Sequence, residues 1–165
     1  MIAGRVWKFG DDVNVEMMLP QAALYLPKKE RIRYVFQSHR PGWVDQVRPG
    51  DFIVGGRNYG VGSSRPAPLQ LRNVGIGCLI AESTSDIFFR NAVNFGLLTL
   101  QCPGVHAAFE EGQTAEVSTE DFTVRNRETG VVLQAQRFPK NLVTLMTHGG
   151  VFPLLEREGL IAPAG

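Results

Sequence analysis

The order of apolar and helix-forming segments between residues 51 and 101 constrains the fold of this chain more than any other feature. Three short apolar runs lie at residues 51–54, 76–81 and 97–101, and each predicts a β-strand. The run at 76–81 is apolar throughout, which is typical of a strand covered on both faces. Strands of this kind, joined by short helical connections, form a partly parallel sheet.

Helix signals fill the two gaps between these strands. The first helix is predicted to begin near Pro68, which suits a first helical turn, and to end at Gly75. The second covers residues 87–95, with N-cap candidates in residues 83–86 and Gly96 after its last turn. Residues 51–101 are therefore predicted to form a βαβαβ unit, the centre of an α/β fold with flanking helices.

The flanking segments add strands and one expected helix. Residues 2–8 predict an opening strand, and residues 9–16, the acidic turn, predict a turn that caps the next element of the chain. A helix is predicted from about Lys28 to Pro41. Short strands are predicted at residues 113–119, 122–126 and 131–136, with a hairpin turn at 128–130, and a short helix near the end. With no repeat or linker, residues 1–165 are expected to form a single domain.

Composition excludes several functions. The net charge is +1, which gives no electrostatic footprint for nucleic acid. No apolar run has the length of a membrane span, so we expect a cytoplasmic protein that does not bind membranes. Cys78 and Cys102 are 24 residues apart in apolar surroundings, so they predict buried thiols and neither a zinc site nor an iron–sulfur cluster.

Residues 55–65, here called the glycine loop, are the main candidate for function. Four glycines in eleven residues permit positive φ and a close approach to a ligand. They lead into Ser63, Ser64 and Arg65, so the loop could present N–H groups and a fixed cation to an anion. A glycine-rich turn with incidental polar residues is the alternative.

The glycine loop matches none of the common phosphate or hydrolase motifs. Val61 stands where a P-loop requires lysine, and Arg65 replaces the third glycine of a dinucleotide fingerprint. Neither serine lies in a Gly-x-Ser-x-Gly elbow. Arg65 could bind a carboxylate through two parallel hydrogen bonds, and a serine alkoxide stabilised by backbone N–H groups could act as a base.

The loop and its surroundings resemble the small subunit of 3-isopropylmalate dehydratase, which is equivalent to the swivelling C-terminal domain of aconitase. The resemblance rests on Asn58-Tyr-Gly-Val-Gly-Ser-Ser-Arg65 and on residues 80–97, which contain Phe-Phe-Arg-Asn. Gly10-Asp-Asp-Val-Asn-Val-Glu-Met-Met-Leu-Pro20, Arg48-Pro-Gly-Asp51 and Gly149-Gly150 also match. It implies an aconitase-type swivelling β/β/α domain of a hydro-lyase, with a place in leucine biosynthesis.

The resemblance also implies a partner and roles for site residues. A large subunit would carry a [4Fe–4S] cluster, and this chain would close over it as part of a heterodimer or heterotetramer that acts on a hydroxy di-acid. Ser63 matches the base that removes a proton beside a carboxylate. Ser64 matches the neighbouring hydrogen-bonding serine and Arg65 the carboxylate-binding arginine, while Asn58 and Gly62 belong to the same substrate-binding motif.

Departures from the family pattern leave the substrate open. The family usually continues Ser-Ser-Arg-Glu-His-Ala-Pro, whereas Pro66 follows Arg65 here and the Glu-His pair is missing. The usual Asp-Thr-Asp is replaced by Asn14-Val15-Glu16, and residues 20–29 contain no arginine where the family has Tyr-Leu-Arg. A methyl-substituted malate is therefore an alternative to isopropylmalate. A carboxylate-binding regulatory module without catalysis is the alternative from another class.

Overall fold

A mixed β-sheet forms the centre of the computed structural model, which describes residues 1–63 and 65–163. Its strands are β1 (Ile2–Lys8), β2 (Phe52–Gly55), β3 (Cys78–Ala81), β4 (Thr99–Gln101), β5 (Thr114–Val117), β6 (Thr123–Asn126) and β7 (Val132–Gln134). Within the described residues the sheet has seven strands in the order β4-β3-β2-β1-β5-β6-β7. Strands β1 to β4 are parallel, and β5, β6 and β7 follow in antiparallel pairings from the other edge of β1. The opening strand and the partly parallel sheet are confirmed.

Short helices surround this sheet. They are α1 (Val15–Met18), α2 (Lys28–Arg31), α3 (Ala67–Val74), α4 (Asp86–Phe95), α5 (Val105–Ala108), α6 (Lys140–Thr147) and α7 (Val151–Arg157). Two 3₁₀ turns cover Gln21–Tyr25 and Ile32–Tyr34. In residues 1–63 and 65–163, no helix has both the length and the apolar character needed to cross a membrane.

Helices α3 and α4 lie where the sequence predicts them, between β2 and β3 and between β3 and β4. They end at Gly75 and Gly96, and both glycines adopt the left-handed backbone that closes a helix. Helix α4 begins at Ser85, whose Oγ accepts a hydrogen bond from the Phe88 N–H at 3.2 Å. The βαβαβ prediction for residues 51–101 is therefore confirmed.

Each face of the parallel strands is covered by its own apolar core, because side chains along a strand point alternately to opposite faces. The Trp43 core contains Trp7, Phe9, Phe36, Trp43, Ile53, Tyr59, Leu71, Leu79 and Phe88, among others. The Leu100 core contains Val6, Phe52, Val54, Ile80, Leu98, Leu100, Phe109 and Val124, among others. Neighbouring residues of one strand, such as Val6 and Trp7, thus contribute to different cores.

The helix predicted from about Lys28 to Pro41 is much shorter than expected. Helix α2 ends at Arg31 and passes into the 3₁₀ turn Ile32–Tyr34. Phe36 then has a left-handed φ of 56°, which no helix can continue through. Its buried ring stacks on Phe9 with a centroid distance of 4.4 Å, so packing in the Trp43 core overrides the helical pattern.

Helix α6 was not predicted from the sequence, whereas the short final helix is confirmed as α7. Pro139 precedes α6 and provides no side-chain cap, so the usual start signal is missing. Leu142, Val143 and Leu145 pack against the Leu100 core, and Met146 lies within it. The hairpin turn at residues 128–130 is also confirmed, since the Gly130 N–H donates to the Asn126 carbonyl at 2.9 Å.

Candidate active site

The glycine loop lies at the edge of the sheet where the four parallel strands end, which is where open α/β sheets commonly bind ligands. It is held there between the segments that follow β1 and β3. The Gly60 N–H donates to the Val13 carbonyl at 2.7 Å, and the Tyr59 N–H donates to the Ser83 carbonyl at 3.0 Å. The loop conformation is therefore fixed from both sides by backbone hydrogen bonds.

The acidic turn supplies most of the contacts on the β1 side. Asp11 Oδ1 accepts a hydrogen bond from the Arg57 N–H at 2.7 Å. The Val15 N–H donates to the Val61 carbonyl at 3.0 Å. Asn14 Oδ1 accepts from the Met17 N–H at 2.9 Å and so caps α1, as expected for this turn. The acidic turn therefore caps α1 and also holds the glycine loop in place.

Two of the loop glycines are required by close packing within the protein. Gly60 has a φ of 80°, and a Cβ at this position would lie 2.1 Å from Phe88 Cγ in α4. Gly62 has a φ of 118°, and its Cβ would lie 3.0 Å from Val15 Cγ2 in α1. Both features exclude ordinary side chains, so these glycines allow the loop to lie between two helices.

Ser63 follows Gly62 and is exposed, whereas Ser64 lies outside the described residues. Helix α3 begins four residues after Ser63, at Ala67. A helix N-terminus carries partial positive charge and unpaired N–H groups, which stabilise a nearby anion. The order of loop, serine and helix start predicted from the sequence is thus present in the fold.

Arg65 is held much more tightly than Ser63. Its side chain is only 11% exposed and forms an ion pair with Glu16 through Nη1. Arg65 Nη1 also donates to the Leu19 carbonyl at 2.8 Å. The Arg65 carbonyl accepts a hydrogen bond from Asn91 Nδ2 in α4 at 3.4 Å. The arginine is therefore fixed in place by segments on both sides of the loop.

Asn58 lies at the other end of the loop and has a structural role. Its φ is 54°, a left-handed conformation that asparagine tolerates better than most residues. Asn58 Nδ2 donates to Asp12 Oδ1 at 3.1 Å, and its N–H donates to Ser83 Oγ at 3.0 Å. These bonds join the ends of β1, β2 and β3.

The structure thus brings Gly62 and Arg65 to α1 and leaves Ser63 exposed, while the hydrogen bonds of Asn58 are to Asp12 and Ser83. Sequence reasoning missed Glu16 as the partner of Arg65. Its only signal was a carboxylate in the motif at residues 10–20, because 49 positions separate the pair in the chain.

The cysteines are buried thiols, as predicted. Burial raises the pKa of Cys78, and burial together with nearby Glu82 raises the pKa of Cys102 to about 11. A raised pKa disfavours the thiolate that binds metals. Among residues 1–63 and 65–163, no group of three His, Cys, Asp or Glu side chains is arranged to hold a metal ion.

Comparison with known proteins gives consistent matches. The sequence model of the aconitase C-terminal domain matches residues 29–104. The isopropylmalate/citramalate isomerase small subunit of Methanocaldococcus jannaschii is 42% identical over 160 residues, covering 96% of this chain and 95% of the relative. The 3-isopropylmalate dehydratase small subunit 1 of Methanopyrus kandleri is 41% identical over 161 residues, with the same coverage.

The fold also matches that of a solved structure. A crystal structure of 3-isopropylmalate dehydratase from Methanocaldococcus jannaschii superimposes with a TM-score of 0.87 at 27% identity, covering 96% of this chain and 95% of that one. Sequence and fold agree over nearly the full length of both proteins. The chain therefore belongs to the aconitase C-terminal domain family, among the small subunits of 3-isopropylmalate dehydratase, a hydro-lyase.

Proposed function

We propose that this chain closes over a cluster-bearing large subunit and supplies a serine base and a carboxylate-binding arginine for the reversible dehydration of a hydroxy di-acid. The observation that carries the proposal is the position of exposed Ser63 two residues before the partly buried Arg65, at the carboxyl edge of a small-subunit fold.

Arg65 is suited to hold one carboxylate of the substrate. A guanidinium presents five N–H donors in a rigid plane and pairs with a carboxylate through two parallel hydrogen bonds. Because Arg65 is already fixed by the Leu19 carbonyl and by Glu16, little side-chain entropy remains to be lost when a substrate binds. Ser64 and Gly62 would add hydrogen-bonding groups beside it, and Asn58 would support the loop.

Ser63 is the proposed base. A serine hydroxyl accepts a carbon-bound proton only if its alkoxide is stabilised. The start of α3 and the guanidinium of Arg65 follow Ser63 in the chain, and they would provide the positive potential that stabilises its alkoxide. Ser63 Oγ would remove the proton beside the carboxylate held by Arg65 and return it in the reverse direction.

The iron–sulfur cluster would belong to the large subunit. The described residues contain no set of ligands for it, and the thiols of Cys78 and Cys102 are buried. A cluster iron would act as a Lewis acid on the departing hydroxyl. This chain would bind and orient the carboxylate and hold the proton on Ser63.

The substrate is proposed to be isopropylmalate or a methyl-substituted malate. The name of the relative from Methanocaldococcus jannaschii includes both isopropylmalate and citramalate, which favours testing both classes. The segment after Pro20 forms the 3₁₀ turn Gln21–Tyr25 and has no arginine. Arg31, the next arginine along the chain, donates to the Leu24 and Leu26 carbonyls at 3.0 and 3.1 Å, so it stabilises this segment.

The test is co-expression with a candidate cluster-bearing large subunit, followed by an anaerobic assay of water loss from hydroxy di-acids. We expect turnover by the complex and none by this chain alone. Turnover by the isolated chain, or a chain that binds a di-acid tightly and never associates with a large subunit, would contradict the proposal. The second outcome would instead support the regulatory module.

Ser63→Ala in the same complex tests the role of the base. We expect kcat to fall by at least about 100-fold with KM changed little, because a proton-transfer group acts mainly in the transition state. Ser38→Ala, which removes an exposed hydroxyl elsewhere, is the matched control and should leave both constants unchanged. Unchanged turnover in Ser63→Ala would assign the base to another residue.

A further inference from the structure

We propose that Glu16 is a positioning residue for Arg65. It turns the guanidinium so that one edge remains available to the substrate carboxylate, and it links this arginine to the turn Gln21–Tyr25. The inference rests on the proposed function, in which Arg65 binds a carboxylate.

Glu16 balances the charge of Arg65. Its side chain is 11% exposed, whereas that of Glu16 is 55% exposed. A cation that is mostly removed from water requires a compensating partner. Glu16 supplies this partner while its carboxylate stays partly solvated. The pair therefore stabilises a partly buried arginine without requiring a substrate to be present.

Only one of the three guanidinium nitrogens of Arg65 has a partner among the described residues. Nη1 forms the ion pair with Glu16 Oε2 and donates a hydrogen bond to the Leu19 carbonyl. Among the described residues, Nε and Nη2 make no hydrogen bond. These two nitrogens form the side of the guanidinium that pairs with a carboxylate in a bidentate manner. Glu16 thus pairs with Nη1, and the edge formed by Nε and Nη2 remains available for a bidentate pair with a carboxylate.

Glu16 also links Arg65 to the segment around Pro20. Glu16 Oε1 accepts a hydrogen bond from the Gln21 N–H at 3.1 Å. Leu19, whose carbonyl binds Arg65, closes α1 by donating its N–H to the Val15 carbonyl at 2.8 Å. The two groups that contact Arg65 therefore lie just before Pro20, and Glu16 is itself held by Gln21 just after it, so a shift of this segment changes the position of the guanidinium.

A different role for Glu16 would have the opposite kinetic effect. If its carboxylate occupied the place of the substrate carboxylate, its removal would free Arg65 and lower KM. If it positions Arg65, its removal misplaces the guanidinium and raises KM. The sign of the change in KM distinguishes the two.

The kinetic test uses Glu16→Gln in the assembled enzyme with the preferred hydroxy di-acid. We expect KM to rise by about five-fold or more, because the carboxylate-binding group is misplaced, with kcat within about two-fold. Glu158→Gln removes the same charge from an exposed position after α7 and should leave KM unchanged. A KM that falls or stays constant in Glu16→Gln overturns the proposal.

A double-mutant cycle tests whether Glu16 acts through Arg65. In the Arg65→Lys background the additional change Glu16→Gln should alter KM by less than about two-fold, since the geometry it supports is already lost. A full and additive effect in that background would also overturn the proposal.

An NMR measurement on the isolated full chain requires no activity. The Arg65 Nε–H signal is assigned by its absence in Arg65→Lys, and it should shift or broaden in Glu16→Gln but not in Glu158→Gln. An unchanged signal refutes the positioning role. If the signal responds but no large subunit yields turnover, the pairing of Glu16 and Arg65 stands and the proposed function fails.

Discussion

Asp51 is a buried carboxylate that joins β1 to the turn before β2. It accepts hydrogen bonds from Trp7 Nε1 at 2.8 Å, from the Arg48 N–H at 2.9 Å and from Arg5 Nη2 at 2.6 Å. Burial disfavours its charge, but the bonds from Arg5, Arg48 and Trp7 outweigh this effect and lower the pKa of Asp51 below its ordinary value. The charged form is therefore the one that stabilises the fold.

Asp51→Asn should lower the free energy of unfolding of the isolated chain by about 2–4 kcal/mol at neutral pH, because it leaves the donors around it poorly satisfied. A carboxyl with a lowered folded-state pKa contributes stability above its ordinary pKa, and this stability is lost as the pH falls below about 4. The difference between wild type and variant should therefore shrink in acid. Urea unfolding at neutral and acidic pH measures both effects.

Asp45→Asn is the control for this experiment. Asp45 is exposed, so its substitution should change the free energy of unfolding by less than about 0.5 kcal/mol. A difference between Asp51→Asn and wild type that stays constant with pH would show that the variant acts through packing and not through the charge.

At the scale of single residues, the sequence indicates which chemistry a side chain could perform, but it does not indicate which other residues that side chain contacts. Ser63 and Arg65 are predicted as site residues because a glycine loop and a family motif surround them. The pairs Glu16–Arg65 and Asp51–Arg5 join residues 46 or more positions apart. Such pairs depend on strand order, and no local pattern encodes it. The need for Gly60 could be inferred, but the ring of Phe88 that requires it could not.

Among the elements, α4 connects the fold to the candidate site. Ser85 Oγ caps this helix by accepting from the Phe88 N–H, and it also donates to the Gly60 carbonyl at 2.8 Å. The Ser85 N–H donates to the Tyr59 carbonyl at 3.0 Å. One side chain therefore fixes both the start of a helix and the glycine loop.

Ser85→Ala should destabilise the chain by about 1–2 kcal/mol through the lost cap, and it should raise KM in the assembled enzyme because the loop loses an anchor. Ser85→Asp is the matched variant, since aspartate caps a helix equally well but cannot donate to the Gly60 carbonyl. We expect near-normal stability from Ser85→Asp together with the raised KM. A normal KM in this variant would mean that the contact with Gly60 does not hold the loop.

Elements with local start and stop signals could be predicted, and those fixed by tertiary packing could not. Helices α3 and α4 have a proline, a serine cap or a terminal glycine at their ends, and both lie where expected. Helix α6 has no side-chain cap at its N-terminus, and it is recognised by its packing on the Leu100 core. The helix expected from Lys28 to Pro41 ends early because Phe36 turns inward, which its sequence neighbours do not indicate.

At the scale of the whole molecule, one sheet separates two cores that share its strands. Successive residues of β2, Phe52 and Ile53, point into the Leu100 core and the Trp43 core respectively. Neither core can lose its packing without disturbing strands that form the other. We therefore expect residues 1–165 to unfold as a single cooperative unit, even though the Trp43 core is joined to the site and the Leu100 core supports β5 to β7.

Leu100→Ala tests this coupling, because the two tryptophans of the chain, Trp7 and Trp43, both lie in the opposite core. Leu100 is fully buried, so the substitution should cost about 2–5 kcal/mol. In urea, tryptophan fluorescence reports the Trp43 core and far-UV circular dichroism reports the whole chain. Both midpoints should fall together, as they should for Leu71→Ala in the Trp43 core.

A circular dichroism midpoint that falls while the fluorescence midpoint stays in place would mean that the cores unfold separately. The region around the glycine loop could then be ordered independently of β5 to β7, and the chain would have to be treated as two units.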